Sequence, residues 1–464
     1  MSRLGIALAL LLAAAAAYGA MADRAEHVRA GGIDLVTYRT DVRNVVNIVG
    51  AFPAGDAFAS GNAAVPTLTG MMLDRGTTAL DKFAIAQQLE NVGAEISFSV
   101  GMQSVQVRAR CLRKDLPLVI RLIAAQLRTP AFAAGEFAKA RQQLIGGLEQ
   151  SLQSTEARAH VAFDRAIFPE GHPNRPHTTD EMIAAAKSAN LEDVRKFHAR
   201  FYGPAHFTLV LVGDLDPAEA RQEIASAFSG WSGGQDYLHP ASPATSAGPS
   251  ETVVRLADKP SVTVLLGQPS GLRYRDPDSL ALRVGTAVLG EGFTGRLMKT
   301  VRDKQGLTYH VAAGMAEDSI VDGAWDVSAS FAPALLERGL ASTRDVLGGW
   351  WQGGVTETEL QGRKQGEIGT YLVGLSTTGG LAGFILTTLQ RGYDVDWLDR
   401  YPEALRALTR DQVNAAIKKH VNPGTLTLVE AGSVPVAAPA PPPPAPSAPI
   451  EPTTVAPAAP APAR

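Results

Sequence analysis

Two residues carry the first chemical suggestion. The stretch "LGEGFTGRLMKTVRDKQGLTYHVAAG", residues 289–314, sets Arg302 and Tyr309 on either side of one tight helix-to-strand corner. Gly290 and Gly292 give a flexible approach to a helix carrying Arg296, Lys299 and Arg302. Gly306 stops that helix in the left-handed position common just past a helix end. A guanidinium fork and a phenol with no acid or base between them suit hydrogen-bond donation to a carbonyl oxygen that turns negative in a transition state. The same pattern also fits a surface arginine beside a half-buried tyrosine at a sheet edge. The residues by themselves leave both readings open.

A second stretch is notable for what it lacks. "TLTGMMLDRGT", residues 67–77, ends an apolar helical run without a His or a Glu. None of the nine histidines forms a ligand pair with a nearby carboxylate that reads as a metal site. Glu156 and His160 share a helix face at i, i+4 and read as a solvated pair. Cys111 is the only cysteine, which excludes an internal disulfide and a thiolate zinc cluster, and it reads as a small core hydrophobe.

The elements that must position these residues come from a duplicated unit. "VRKFHARFYGPAHFTLVLVGDL" from Val194 and "VNAAIKKHVNPGTLTLVEAGSV" from Val413 align at an offset of 219 residues. The offset pairs Pro204 with Pro423, Thr208 with Thr427 and Gly213 with Gly432. It also sets Ile33–Thr37 opposite Thr252–Leu256, both short alternating strands, each followed by a second apolar strand. A repeat of that length means two large homologous domains rather than a solenoid. Within each unit the order is two strands, helices, a hairpin, more helices and a last strand. The hairpins are "EISFSVGMQSVQVRARC" and "TYHVAAGMAEDSIVDGAWDVSASF". This order predicts an α+β fold of two homologous domains, each a mostly antiparallel sheet covered on one face by helices, closing as a clamshell. One long helix is expected over about 134–167.

Composition sets the frame. A chain of 464 residues with 45% apolar and 19% charged residues is globular and large enough for several cores. The net charge of −3 and the lack of basic clusters with interleaved aromatics exclude a nucleic-acid reader. Residues 1–22 read as a secretory signal peptide, with an uncleaved anchor as the minority reading, so a periplasmic or secreted protein is expected, without stable membrane insertion after cleavage. Residues 23–230 form the first domain, 231–251 a Gly/Pro/Ser-rich linker, 252–434 the second domain, and 435–464 a Pro/Ala-rich tail expected to be disordered.

The duplicated unit and the two opening stretches resemble the insulinase/pitrilysin peptidases, over roughly residues 30–434. In that family an H-x-x-E-H helix in the first domain binds zinc and activates water. Aligned on the shared Gly76-Thr77, the two His positions fall on Thr67 and Met71, and the Glu position on Gly70. Glu149 lies near the place of the distal metal ligand. His172 resembles the family's H-P loop, which shapes the fold; His177 lies five residues on. The second-domain motif is nearly whole: Leu289, Gly290, Phe293, Arg296, Leu297, Arg302, Gly306, Leu307 and Tyr309 match, and Gly295 replaces a serine. The resemblance implies that Arg302 and Tyr309 act on substrate, with Gly290, Gly292, Phe293 and Arg296 lining its binding site. It implies no zinc in this chain, zinc in a homologous partner chain, and a peptide substrate paired to a sheet edge around Ile96–Val107. A non-catalytic binding or assembly protein on the same fold is the alternative, and a self-sufficient zinc peptidase conflicts with Thr67, Gly70 and Met71.

Overall fold

The computed structural model describes residues 21–435. All but the last two residues of the signal-peptide reading, and nearly all of the Pro-rich tail, lie outside the described residues. Strands β1 (Ala25–Ala30), β2 (Ile33–Arg39), β3 (Val45–Pro53), β4 (Glu95–Val100), β5 (Ser104–Leu112) and β6 (Thr208–Gly213) form one sheet, ordered β1-β2-β6-β3-β5-β4. Strands β7 (Ser250–Arg255), β8 (Val262–Pro269), β9 (Thr308–Ala316), β10 (Ala324–Phe331) and β11 (Thr427–Gly432) form the other, ordered β7-β11-β8-β10-β9. The duplication is visible in the pairing. β6 runs parallel to β2 and antiparallel to β3, and β11 treats β7 and β8 in the same way.

The helices of the first half are α1 (Val65–Met71), α2 (Lys82–Glu90), α3 (Leu116–Arg128), α4 (Ala134–Ser151), α5 (Thr155–Ile167), α6 (Thr179–Ser188), α7 (Leu191–Phe201) and α8 (Pro217–Ala227). The second half has α9 (Ser279–Gly290), α10 (Leu336–Gly353), α11 (Glu357–Leu375), α12 (Thr378–Gln390), α13 (Trp397–Ala407) and α14 (Arg410–His420). The single long helix expected over 134–167 is two. Ser154 caps α5, its side chain accepting from the Ala157 N–H at 3.1 Å, and the chain breaks at 152–154 to let it do so. Among the described residues no single helix is long and apolar enough to cross a membrane.

Helices cover both faces of each sheet rather than one. Leu35, Val46, Ile48, Leu209 and Leu211 face the first half's own helices, where Val119, Ile120, Ile123 and Phe197 pack on them. The alternate residues Val36, Tyr38, Val49, Val210 and Val212 face the other way, onto Leu381, Ala382, Ile385 and Leu386 of α12 from the second half. The exchange is reciprocal. Ala159, Phe163 and Ile167 of α5 lie on Leu265, Val429 and Ala431 of the second sheet. Each fully buried Val, Leu or Ile contributes about 1.5–3 kcal/mol, so the swap binds the halves through their cores.

Polar contacts fix the same junction. His172 stacks on Phe168 with centroids 4.5 Å apart and meets the buried Asp322 of the second half at 3.2 Å. The Asn174 N–H donates to His172 Nδ1, so Nε2 is the atom left to donate to Asp322. The other Asp322 oxygen accepts from the Ala244 N–H in the connecting segment at 2.7 Å. In the second core Trp325 and Trp350 stack at 6.0 Å, and each buried indole N–H has a partner, Thr286 Oγ1 and the Gly285 carbonyl.

Candidate functional site

The corner of Arg302 is built from three constraints. Gly290 ends α9 against β9; a Cβ there would fall 2.3 Å from the Ala313 nitrogen, so only glycine allows this approach. Gly292 then turns the chain at φ +64° and leaves Phe293 exposed. The following helical segment is anchored inward by the buried Leu297, Met298 and Val301. Over Met298–Lys304 it is wound as a π-helix rather than the ordinary helix that the spacing suggests. Such wide turns concentrate at functional sites. Gly306 closes the segment at φ +63°, donating to the Arg302 carbonyl at 2.8 Å, and the buried Leu307 leads into β9.

The result is a clamp. The Arg302 guanidinium carbon lies 5.1 Å from the Phe293 ring centroid and 5.0 Å from that of Tyr309. Tyr309 is 84% exposed. Both rings are within cation–π range of the guanidinium. Among the described residues Arg302 has no carboxylate partner and the Tyr309 hydroxyl no hydrogen-bond partner. Two donors without a protein partner among the described residues therefore share one corner, an arrangement able to bind an oxygen acquiring charge.

Arg296 is tied into the protein itself. Its Nε and Nη2 reach Glu359 at 2.8 and 2.7 Å, and Nη2 also donates to the Gly354 carbonyl at 2.8 Å. Glu359 in turn closes the capping box of α11 with Thr356. The Arg296 fork holds the Glu359 carboxyl at about 2, well below the usual range. Through Nε and Nη2, Arg296 fastens the corner to α11. Gly290 packs closely on β9. Sequence reasoning missed Glu359, whose only local signal is the capping box T-E-T-E.

On the first half, Thr67, Gly70 and Met71 lie on α1, and none offers what a hydrolytic zinc takes. The Thr67 hydroxyl donates to Asp56 at 2.7 Å, and burial pushes that carboxyl up. Met71 packs against the first core. Gly70 is closed off sterically, for a Cβ there would come within 2.2 Å of Val100 Cγ2 on β4. Glu149 is exposed on α4. Glu136 of the same helix reaches back toward α1 but is engaged by Arg75 at 3.3 Å and Lys82 at 2.9 Å. Among the described residues no cluster of three or more His, Cys, Asp or Glu is placed to hold a metal ion. The residues present do not fit zinc. His177 sits at the surface, 3.8 Å from Glu181, and His172 belongs to the junction between the halves.

Comparison with known proteins agrees with this fold. The family model described as peptidase M16 inactive domain matches residues 188–367. An uncharacterized zinc protease of Streptomyces coelicolor is 26% identical over 67% of this chain and 68% of its own length. A non-peptidase homologue of Helicobacter pylori is 22% identical over 81% of this chain and 86% of its own. Among solved structures, a peptidase M16 inactive domain from Pseudomonas fluorescens superposes with TM-score 0.81 at 24% identity, covering 89% of this chain and 98% of that one. A protease from Helicobacter pylori gives 0.78 at 18%, covering 88% and 98%. The class is therefore a duplicated α+β peptidase fold whose metal donors are gone. The chain is similar to the insulinase/pitrilysin, or M16, family, through the model over residues 188–367 and through its non-peptidase relative.

Proposed function

We propose that this chain is the zinc-less subunit of a two-chain peptidase. Its partner would be a homologous chain carrying the metal, and the substrate an extended peptide. Arg302 and Tyr309 would donate to the scissile carbonyl oxygen as it becomes negative, while metal and water belong to the other chain. The observation that carries this reading is the clamp itself. Arg302 lies within cation–π range of two exposed rings and has no carboxylate partner among the described residues, which a purely structural arginine has no need for. Rigid donors aimed where charge develops cost no reorganisation during reaction. An exposed edge such as β4, the outermost strand of its sheet, offers unpaired backbone groups to an added strand, so sequence selectivity would be loose. Action in the periplasm or outside the cell is part of the same proposal.

The test is reconstitution. The isolated chain should cleave no peptide, and mixing it with a homologue that carries H-x-x-E-H should produce cleavage. Arg302→Ala and Tyr309→Phe should then each lower kcat by roughly ten- to a thousandfold, the scale of one lost oxyanion donor, without weakening assembly. Cleavage that survives both changes refutes the role assigned to the pair. Assembly without any cleavage favours the binding-protein alternative.

A further inference from the structure

On the side of β1 and β2, the junction between the halves opens into a cavity of about 590 Å³. Its walls come from the β1–β2 hairpin, the loop before β6, the connecting segment, the loop after β8 and the end of α12. It shares no lining residue with the Arg302 corner or with α1. Its charge is one-sided: Arg29, Arg273, Arg275 and Arg391 line it with His206 and His239, against one carboxylate. That carboxylate, Asp34, is already engaged by His27 at 2.8 Å. This concentration of positive charge sits in a chain whose net charge is −3.

Local partners account for part of it. Arg273 pairs with Asp276 at 3.3 Å, and His206 lies 3.6 Å from Asp236. The other three arginines form no ion pair among the described residues. Arg29 donates to the Gly32 carbonyl at 2.8 Å. Arg275 lies against Gly392, where a Cβ would fall 2.6 Å from its Nη1. Arg391 covers the Tyr274 ring at 3.4 Å and reaches Ser319 Oγ at 3.4 Å. The neighbouring Arg283 is ion-paired with Asp318, whose charge also acts on Arg391 without an ion-pair contact. The negative end of the α12 dipole offsets part of the Arg391 charge, but only within the last turn. Arg29 and Arg275, from opposite halves, keep theirs. Like charges gathered in a concave site repel one another and focus a positive potential into it.

We propose that this cavity binds a small multivalent oxyanion, bearing two or more phosphate or carboxylate groups, held between the halves by Arg29, Arg275 and Arg391. The guanidinium fork matches either group bidentately, and the volume is that of a small-molecule site. Bound there, the anion would tie β1 to the loop after β8 and stabilise the junction.

Titration calorimetry of the folded chain with pyrophosphate, and in parallel with citrate, tests this. Arg29→Gln and Arg275→Gln are the variants, because both side chains are exposed and neither packs in a core. Saturable one-to-one binding of at least one probe is expected, weakened about tenfold by each variant and by added salt. The same probe should raise Tm in the parent and not in the double variant. Co-sedimentation with phosphatidic acid vesicles, competed by pyrophosphate and lost in the double variant, identifies a lipid headgroup as the source. Binding of the free anion without sedimentation identifies a soluble ligand. No saturable binding up to about 10 mM, or binding unchanged in the double variant, overturns the proposal.

Discussion

Closure of the position where a catalytic glutamate would stand is open to a direct measurement. Gly70 lies in a helix, so Gly70→Ala should gain up to about 1 kcal/mol from backbone propensity alone. Against that, the new Cβ would meet Val100 Cγ2 at 2.2 Å, far inside contact distance. Val100 is β-branched, stiff at χ1 and held in β4, so it cannot simply swing aside. Forcing a methyl into such a site costs about 1–3 kcal/mol. The net for Gly70→Ala is therefore neutral to about 2 kcal/mol destabilising. In a Val100→Ala background the obstruction is gone and the same change should be neutral or stabilising. The double-mutant cycle, read from urea midpoints at constant m, should give a coupling of about 1–3 kcal/mol. A stabilised Gly70→Ala single variant with coupling below about 0.5 kcal/mol would refute the reasoning. By extension, Thr67→His, Gly70→Glu and Met71→His together should not give stoichiometric zinc binding in dialysis unless Val100 is also reduced.

Three further outcomes follow from other parts of the molecule. Arg296→Ala should destabilise by about 1–3 kcal/mol through its lost charged hydrogen bonds. The Glu359 carboxyl is held at about 2 against an ordinary 4.5, so its contribution is fully present above about 4.5 and fades as pH falls toward 2. The gap between parent and variant in denaturation should narrow across that window. Asp164 is shifted the other way, to about 7, first by burial and then by the Asp326 carboxylate. Its native form holds the proton while the unfolded form releases it near 3.8, so stability is lost as pH rises from about 4 to 7. Asp164→Asn should therefore stabilise the chain at pH 8 and make little difference near pH 4. Cys111 is buried, and burial pushes its thiol up to about 12. A thiol reagent at pH 8 should label the native chain roughly a thousandfold more slowly than a free cysteine, and label one thiol per chain after denaturation.

Period and spacing in the sequence determined a good deal. Pro204, Thr208 and Gly213 recur at Pro423, Thr427 and Gly432, and the strands Thr208–Gly213 and Thr427–Gly432 take the same place in their sheets. The corner at Gly306 was legible because a glycine past a helix end has a local physical reason to be there. The missing metal site was legible because ligand chemistry belongs to residue type: no fold turns Thr67, Gly70 and Met71 into imidazoles and a carboxylate. What the sequence left open depended on contacts distant along the chain. That α12 would cover the first sheet and α5 the second is a choice between partners, and the apolar strand "TLVLVG" says only that both of its faces are buried. Arg296 and Arg302 sit six residues apart in one motif, yet the first meets Glu359 and the second lies beside two aromatic rings. Arg29, Arg275 and Arg391 converge from segments hundreds of residues apart. Local pattern fixes elements and donor types because those energies are short-ranged; which donor stays free is decided by tertiary neighbours, since only they spend or spare its hydrogen bonds.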